Sequence, residues 1–340
     1  MRRLLISHID LDGTGAPVIV SLYFREYFDK ILLLDYGFEE DDDIRIEIES
    51  YDEIVIADLS APEEYIESLI RKGKDVKIYD HHIHASWLAD KTYGVYDENR
   101  SGSKIFWEEW AKPKLGRYYP ITDHFIDLID TYDRWQQTNP LWEDAKALNS
   151  VLYNKTMDWN ETNALVKYTP FIERMSNKIR KSSDTWSWTM IEEGWIQDSL
   201  RKEKDALDKA LSTMKIRRDY KGKKFAIIAI GSKISLICSK ILDMRDDLDY
   251  IVCLNLYRGL NGKLSFRSKR DDLDLNDIVC CAGHAQATGG QVMPELAEKF
   301  WNNDNLCWAY RDMNGLDMDR PSSWLIDVRH FEDLGTGVEV

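Results

Sequence analysis

The sequence predicts an α/β protein whose N-terminal part is a doubly wound, mainly parallel sheet, and two observations lead to that prediction. From residue 3 to about residue 80, short runs rich in leucine, isoleucine and valine alternate with segments of helix length, which is typical of a parallel sheet with helices on both faces. Clusters of aspartate and histidine follow three of these runs directly. Because parallel strands end at one edge of their sheet, we expect the three clusters to meet at the edge where α/β proteins bind ligands.

The three clusters differ in composition but occupy the same place in the pattern. In chain order they are Ser7-His8-Ile9-Asp10-Leu11-Asp12-Gly13, then Asp58 after the run Ile54–Ala57, and finally Asp80-His81-His82 after the run Asp75–Tyr79. In an extended segment His8, Asp10 and Asp12 project to one side, because they recur at every second residue. Gly13 and Gly15 allow the backbone to turn tightly into the following helix.

The rest of the chain predicts a helical region, a connecting helix and a second, smaller α/β domain. Residues 100–195 are predicted to be mostly helical and hold most of the tryptophans, each of which either packs in a core or offers a surface on which a base can stack. A charged helix is predicted at 197–216, and later strands at Phe225–Ile230, Tyr250–Tyr257 and Lys263–Arg267. We therefore expect a first domain at residues 1–195, a connecting helix at 196–220 and a second domain at 221–340.

Composition narrows the classes of function. The formal net charge of -15 argues against a groove for long nucleic acid, which relies on basic residues, but is compatible with a short anionic substrate. The five cysteines form no CxxC pair, so neither a disulfide framework nor a thiolate zinc site is expected. We expect a cytoplasmic protein without membrane contact, because no run approaches the roughly 20 apolar residues that cross a bilayer and no secretory signal pattern opens the chain.

The convergence of so many acidic side chains predicts a metal centre. Asp10, Asp12 and Asp58 would repel one another if buried together without cations. Mixed oxygen and nitrogen ligands without thiolates fit Mn²⁺, with Mg²⁺, iron or Co²⁺ as alternatives. The number of ligands suggests two ions about 3.5–4 Å apart, an arrangement that generates hydroxide and binds a phosphoryl group during in-line displacement.

These motifs together resemble the DHH phosphoesterase family. The resemblance covers the cluster at His8–Gly13, Asp58, the triplet Asp80–His82 and a later aspartate. The segment Leu264–Ser268, followed by a glycine-rich stretch that contains His284, is similar to the DHH-associated C-terminal domain. This pairing is typical of RecJ-type exonucleases, nanoRNases and cyclic-dinucleotide phosphodiesterases.

The resemblance implies roles for individual residues. It implies that His8, Asp10 and Asp58 hold the first metal ion, and that Asp12, Asp58 and His81 hold the second, with Asp58 as the bridge. Asp80 would orient a neighbouring group, and His82 would contact the substrate phosphate and assist the leaving oxygen. The fourth motif contains Asp127, Asp130 and Asp133; Asp130 is preferred because Leu128 and Ile129 precede it, and Asp133 is the alternative.

In the C-terminal domain the resemblance implies a nucleotide-binding surface across a cleft from the metals. Its residues would be Arg267, Gly283, His284, Gly289 and Gly290. Arginine offers a planar donor fork for phosphate, and glycines allow backbone amides to approach an anion. The family typically has three glycines before its histidine, whereas this chain has Cys281-Ala282-Gly283, which affects how closely a phosphate is held.

The predicted function is that of a metal-dependent phosphodiesterase that hydrolyses short single-stranded oligonucleotides to nucleoside monophosphates. Within the resembling families, a cyclic-dinucleotide phosphodiesterase and a 3',5'-bisphosphate nucleotidase share this active site, so both remain alternatives. A nucleotide-binding sensor without catalysis is the non-enzyme alternative. The sequence does not select between RNA and DNA, and it does not give the oligomeric state.

Overall fold

The computed structural model describes residues 1–116, 119–182, 185–219, 222–255, 262–275, 282–284 and 286–292, together with 298, 301–302, 306–308 and 328–330. The chain divides into two compact units, Met1–Ser199 and Leu200–Val340. The division falls inside the helix Met190–Thr213. The predicted domain boundaries at 195 and 220 and the predicted cleft stay predictions.

A parallel sheet forms the centre of the first unit. Its described strands lie in the order β2-β1-β3-β4-β5, and every neighbouring pair is parallel. The strands are β1 (Arg3–His8), β2 (Lys30–Leu34), β3 (Glu53–Ala57), β4 (Asp75–Asp80) and β5 (Gly94–Tyr96). This order makes β1, β3 and β4 direct neighbours, so their carboxyl ends lie side by side.

Helices surround this sheet. They are α1 (Leu11–Tyr23), α2 (Asp42–Glu49), α3 (Glu63–Arg71), α4 (Gly102–Ile105), α5 (Lys112–Leu115), α6 (Pro120–Asp133), α7 (Trp142–Leu152) and α8 (Ala164–Lys181), whereas α9 (Met190–Thr213) extends from the first unit into the second. A π-helical stretch, Phe106–Ala111, joins α4 to α5, and short 3₁₀ helices lie at Phe38–Glu40 and Ile83–Asp90. Among the described residues, no helix combines the length and the apolar character that crossing a bilayer requires.

Alternating side chains of the strands enter two separate cores, one on each face of the sheet. Leu5 and Val55 pack with residues of α1 and of the helices after β5, whereas Leu4 and Ile54 pack with residues of α2 and α3. Successive strand residues point to opposite faces, so strands that are apolar throughout need helices on both sides. The predicted doubly wound α/β fold is confirmed.

The second unit contains a mixed sheet. Its described strands lie in the order β10-β11-β9-β8-β7-β6, and only β7 and β8 among these neighbours are parallel. The strands are β6 (Lys215–Arg218), β7 (Lys224–Ala229), β8 (Tyr250–Asn255), β9 (Gly262–Arg267), β10 (Ala282–His284) and β11 (Ala287–Val292); β12 (Leu306–Trp308) and β13 (Val328–His330) form a separate antiparallel pair. The helix α10 (Ile234–Met244) connects β7 to β8.

The structure corrects one element boundary at the start of this unit. The helix predicted at 197–216 ends at Thr213, and β6 follows at once as an edge strand that pairs antiparallel with β7. The backbone groups of β7 at this edge need hydrogen-bond partners, and β6 supplies them. Residues 256 and 257 of the strand predicted at Tyr250–Tyr257 lie outside the described residues.

Candidate metal centre

The three sequence clusters meet at the carboxyl edge of the parallel sheet. β1 ends at His8, β3 ends one residue before Asp58, and β4 ends at Asp80. Asp10 lies at the amino end of α1, where its carboxylate accepts a hydrogen bond from the Gly13 amide at 2.9 Å. The convergence predicted from the sequence pattern is therefore present in the structure.

Two glycines permit the close approach of backbone segments around the site. A Cβ atom on Gly13 would lie 2.1 Å from the carbonyl oxygen of His8, and one on Gly102 would lie 2.4 Å from the Cα atom of Asp58. Such contacts are impossible, so a side chain at either position would push these segments apart. The amides of Gly102 and Ser103 donate to the two oxygens of buried Asp12 at 2.7 and 3.0 Å. The amino end of α4 thus fixes the Asp12 carboxylate.

The candidate ligand atoms fall into three overlapping groups. The groups are His8 with Asp10 and Asp58, then Asp12 with His81 and Asp133, and finally Asp58 with Asp80, His81 and His82. Asp58 points its two carboxylate oxygens in different directions: Oδ2 lies 3.8 Å from His8 Nδ1, and Oδ1 lies 3.4 Å from His81 Nε2. Asp58 is therefore placed between a group around His8 and a group around His81.

Separations within the groups match those of atoms that share a cation. Two ligands with bonds of about 2.0–2.2 Å to one ion are about 3.0–3.5 Å apart. Nε2 of His81 lies 3.4 Å from Asp133 Oδ2, and Nδ1 of His8 lies 3.0 Å from Asp10 Oδ2. Within the described residues, both oxygens of Asp58, Nε2 of His81 and Oδ2 of Asp133 are buried without a hydrogen-bond partner. Buried polar atoms that are left unsatisfied in this way are costly, and a divalent cation would satisfy them together.

The pKa shifts of these residues also indicate a cation-binding site. Burial, followed by the charges of Asp12 and Asp10, raises the pKa of both Asp58 and Asp133 well above the ordinary carboxyl value. Burial lowers the pKa of His81, which favours the neutral imidazole that binds metals. Without a cation the centre would retain protons, whereas a bound cation would replace them.

The structure brings Asp133, the alternative fourth-motif residue, rather than Asp130 into the groups of candidate ligand atoms. Oδ1 of Asp130 accepts a hydrogen bond from the Ser101 amide at 2.8 Å, and its Oδ2 lies 3.5 Å from Lys104 Nζ. Asp130 therefore caps the start of α4. One helical turn further on, at the last residue of α6, Asp133 reaches His81. The apolar residues before Asp130 mark the buried face of α6, but they do not indicate which aspartate lies above the sheet edge.

The remaining members of the DHH triplet are fixed by hydrogen bonds. Oδ1 of Asp80 accepts from the amides of His81 and His82 at 2.7 and 3.1 Å, and it lies 2.8 Å from His82 Nδ1. The other ring nitrogen of His82, Nε2, lies 2.8 Å from the hydroxyl of Tyr36. Asp80 is thus in a position to orient His82.

Sequence reasoning missed two residues of the site, Asp35 and Tyr36. They come directly after β2, the strand next to β1 in the sheet, so they share the edge with the three clusters. Asp35 Oδ1 lies 3.4 Å from His8 Nε2, and the Tyr36 ring lies 4.9 Å from the His8 ring. Burial opposes protonation of His8, but hydrogen bonds to Asp10 and Asp35 raise its pKa to about 10. The apolar run Lys30–Leu34 was the available signal, because it predicts one more strand end at this edge.

In the second unit, the predicted substrate-binding residues lie on three adjacent strands. Arg267 at the end of β9 faces Ala287 of β11, which in turn faces His284 of β10. The Arg267 guanidinium donates to the carbonyl oxygen of Phe266 at 2.8 Å, and burial lowers its pKa. The other predicted residues are Gly283 on β10 and Gly289 and Gly290 on β11. The side chain of His284 lies outside the described residues.

Comparisons with known proteins give both a relative in sequence and proteins of similar fold. No family model matches the chain. Oligoribonuclease NrnB of Bacillus subtilis (strain 168) is 24% identical over 314 residues, which cover 87% of this chain and 74% of that protein.

Two solved structures share the fold. The DHH domain of a protein described as belonging to a family of ribosomal proteins has a TM-score of 0.58 at 15% identity, covering 85% of this chain and 82% of that one. Exonuclease RecJ bound to manganese has a TM-score of 0.52 at 16% identity, covering 88% of each chain. Together with the similarity to oligoribonuclease NrnB, these structures confirm the resemblance to DHH phosphoesterases.

Proposed function

We propose that this DHH-type protein is a metal-dependent phosphodiesterase that hydrolyses short single-stranded oligonucleotides to nucleoside monophosphates. The observation that carries the proposal is the set of buried, unsatisfied ligand atoms at one edge of the parallel sheet. A similar protein is named an oligoribonuclease, and a protein of similar fold is an exonuclease. Because such substrates form inside cells, the proposed activity belongs in the cytoplasm.

The arrangement favours two divalent ions. His8, Asp10 and Asp58 would hold one ion, and Asp12, Asp58, His81 and Asp133 the other, with the two oxygens of Asp58 shared between them. The absence of thiolates from these groups favours Mn²⁺, with Mg²⁺ or Co²⁺ as alternatives. When bound, the ions would supply Lewis acidity to a phosphoryl oxygen and lower the pKa of water.

The protein's own residues would position the phosphate and its leaving group. Oδ1 of Asp80 lies 2.8 Å from Nδ1 of His82 and fixes the ring, so Nε2 faces the Tyr36 hydroxyl and, when it carries a proton, can donate a hydrogen bond to a phosphate oxygen. The amides of Gly102 and Ser103 hold the buried Asp12 carboxylate in one position at the centre. Because such groups are already in place, an active site can stabilise a transition state without first rearranging.

The second unit would bind the rest of the nucleotide. Arg267, Gly283, His284, Gly289 and Gly290 are the proposed contacts, and the register that aligns Arg267 with His284 across β11 supports this assignment. A short substrate suits the acidic chain, whose net charge is -15, because it needs few of the basic contacts that long strands require.

The test is cleavage of end-labelled RNA and DNA of two to twenty nucleotides by the full chain with Mn²⁺, with a cyclic dinucleotide and a 3',5'-bisphosphorylated nucleoside in parallel. Mononucleotide release that is fastest with the shortest linear substrates is the expected result. Faster turnover of the cyclic dinucleotide or of the bisphosphate would indicate that this compound, and not a short linear oligonucleotide, is the substrate. Binding of a labelled dinucleotide without cleavage of any substrate would instead indicate a sensor.

A further inference from the structure

Two exposed aromatic residues lie together in the loop between α7 and α8. The rings of Tyr153 and Trp159 are nearly parallel, with an angle of 14° between their planes and 6.0 Å between their centres. Trp159 is 54% exposed and Tyr153 is 37% exposed, whereas Trp107 and Trp142 in the same helical region are 1% and 7% exposed. We refer to Tyr153 and Trp159 as the aromatic platform. Core packing accounts for the other two tryptophans but not for this one.

Tyr168 interacts both with the platform and with the backbone of the metal centre. The side chains of Tyr153 and Tyr168 interact electrostatically. Tyr168, which is buried, donates its hydroxyl to the carbonyl oxygen of Ile9 at 2.5 Å. Ile9 lies between the candidate ligands His8 and Asp10. Tyr168 therefore lies next to both Tyr153 and the backbone that carries the candidate ligands.

The electrostatic interactions of the platform also involve a residue of the metal centre. Burial of the Tyr153 hydroxyl, followed by electrostatic interactions with Tyr168 and then Asp10, raises the pKa of Tyr153. Lys167 Nζ lies over the Trp159 ring, 5.3 Å from its centre. A nucleotide whose base lies on Trp159 would thus meet an ammonium group suited to a phosphate.

The loop that carries Trp159 is held in place by its own side chains. Asn154 Oδ1 accepts a hydrogen bond from the Thr156 amide at 2.7 Å, and Asp158 Oδ1 accepts from the Asn160 amide at 2.9 Å. Such turns fix the backbone on both sides of the indole. A ring that is already ordered loses little conformational entropy when a ligand stacks on it.

We propose that the aromatic platform binds the base of a nucleotide whose phosphate lies at the metal centre. The inference rests on the proposed function, and it adds a base-binding subsite within the first unit. Every base has a π face, so stacking tolerates any sequence, as an enzyme that degrades mixed short oligonucleotides requires. The ligand class is a purine or pyrimidine nucleotide within a short strand.

The experiment compares three substrates in steady-state kinetics with Mn²⁺: an intact dinucleotide, and two versions in which the 5' or the 3' base is replaced by an abasic tetrahydrofuran. With the intact substrate, Trp159→Ala is expected to raise KM by about 5- to 150-fold while kcat changes little, because stacking binds ground state and transition state alike. Trp159→Phe should recover most of the loss, since it keeps an aromatic face.

The abasic substrates separate base stacking from damage to the loop. One of them should be cleaved equally well by the wild type and by Trp159→Ala, because the base that would stack is already missing. Equal losses on all three substrates, or no loss on the intact one, would overturn the proposal. If the wild type cleaves none of the three, the proposed function fails instead.

A matched control comes from the same surface. Val166, in the first turn of α8, is 55% exposed, so Val166→Ala removes apolar area near the loop without removing an aromatic ring. Its KM for the intact dinucleotide should stay within about twofold of the wild type, as is usual for exposed positions. Thermal melting of each variant should give unchanged midpoints, because Trp159 and Val166 are both exposed.

Discussion

A buried acidic residue lies at each end of strand β3, and the two residues differ in how their charge is compensated. At the amino end, Glu53 accepts hydrogen bonds from Arg3 at 2.9 Å and from the Tyr27 hydroxyl at 2.8 Å. At the carboxyl end, Asp58 meets no lysine or arginine among the described residues, and both its oxygens lack a hydrogen-bond partner there. A buried carboxylate needs a compensating charge. The chain supplies that charge for Glu53, whereas Asp58 requires it from outside.

Replacing Asp58 is expected to have the largest effect. Asp58→Asn keeps the shape of the side chain, and asparagine tolerates the backbone angle φ of 58° at this position. The variant should lose activity by about 1000-fold or more, because one substitution weakens both ion sites. Its melting temperature in EDTA should rise, since an uncompensated buried acid is removed. Initial rates and melting curves measure the two effects.

Glu53→Gln is the matched control at the other end of the same strand. It removes a charge that Arg3 neutralises, so it should lower the melting temperature and leave kcat near the wild-type value. Near-normal turnover of Asp58→Asn with Mn²⁺ would refute its bridging role. Equal losses of activity in Asp58→Asn and Glu53→Gln would contradict the prediction that only the acid at the carboxyl end of β3 is needed for activity.

The second prediction concerns two aspartates on α6. Asp133→Asn should lower kcat/KM by about 100-fold and weaken Mn²⁺ binding, because its carboxylate lies beside His81. Asp130→Asn should mainly lower stability, because its carboxylate caps α4 and pairs with Lys104. Mn²⁺ titration by calorimetry, together with kinetics, distinguishes the two. A larger loss of metal affinity in Asp130→Asn would restore the choice made from the sequence.

That choice illustrates what the sequence can and cannot predict. Runs of apolar residues gave the parallel sheet, and the rule that parallel strands end at one edge brought together His8, Asp58 and His81. The fourth candidate ligand lies on a helix, where Asp130 and Asp133 are three residues apart and share one face. Selecting between them requires the position of α6 relative to α4, which depends on tertiary packing. Asp35 and Tyr36 were missed because their strand end carries no familiar motif.

The pH dependence of metal stabilisation follows from the raised pKa values of Asp58 and Asp133, which burial and neighbouring Asp12 and Asp10 cause. Between the ordinary carboxyl pKa and the raised values, the metal-free folded protein holds protons that the unfolded chain has released. Its free energy of unfolding therefore falls as pH rises through that interval. Metal binding needs both carboxylates ionised, so the stabilisation by Mn²⁺ should grow with pH.

The measurement is the difference in melting temperature between Mn²⁺ and EDTA at pH 5.5, 6.5 and 7.5. We expect this difference to increase by about 2–4 °C for each kcal/mol of additional metal-binding free energy, given the size of the chain. If the difference in melting temperature between Mn²⁺ and EDTA shrinks as pH rises, the assignment of Asp58 and Asp133 as metal ligands is wrong. The Asp58→Asn variant provides the control, because its dependence on pH should be shallower.

The smallest predicted effect concerns Tyr36, a residue without an acidic or basic role of its own. Its hydroxyl lies 2.8 Å from His82 Nε2, while Asp80 holds the opposite side of the same ring. Because Asp80 remains, Tyr36→Phe should lower kcat by only about 3- to 10-fold, less than the loss of a ligand. The comparison variant is Tyr65→Phe, whose hydroxyl is buried without a hydrogen-bond partner among the described residues, so its removal should leave kcat unchanged. If both variants behave like the wild type, the Tyr36 hydroxyl does not position His82, and Asp80 alone orients the ring towards the phosphate.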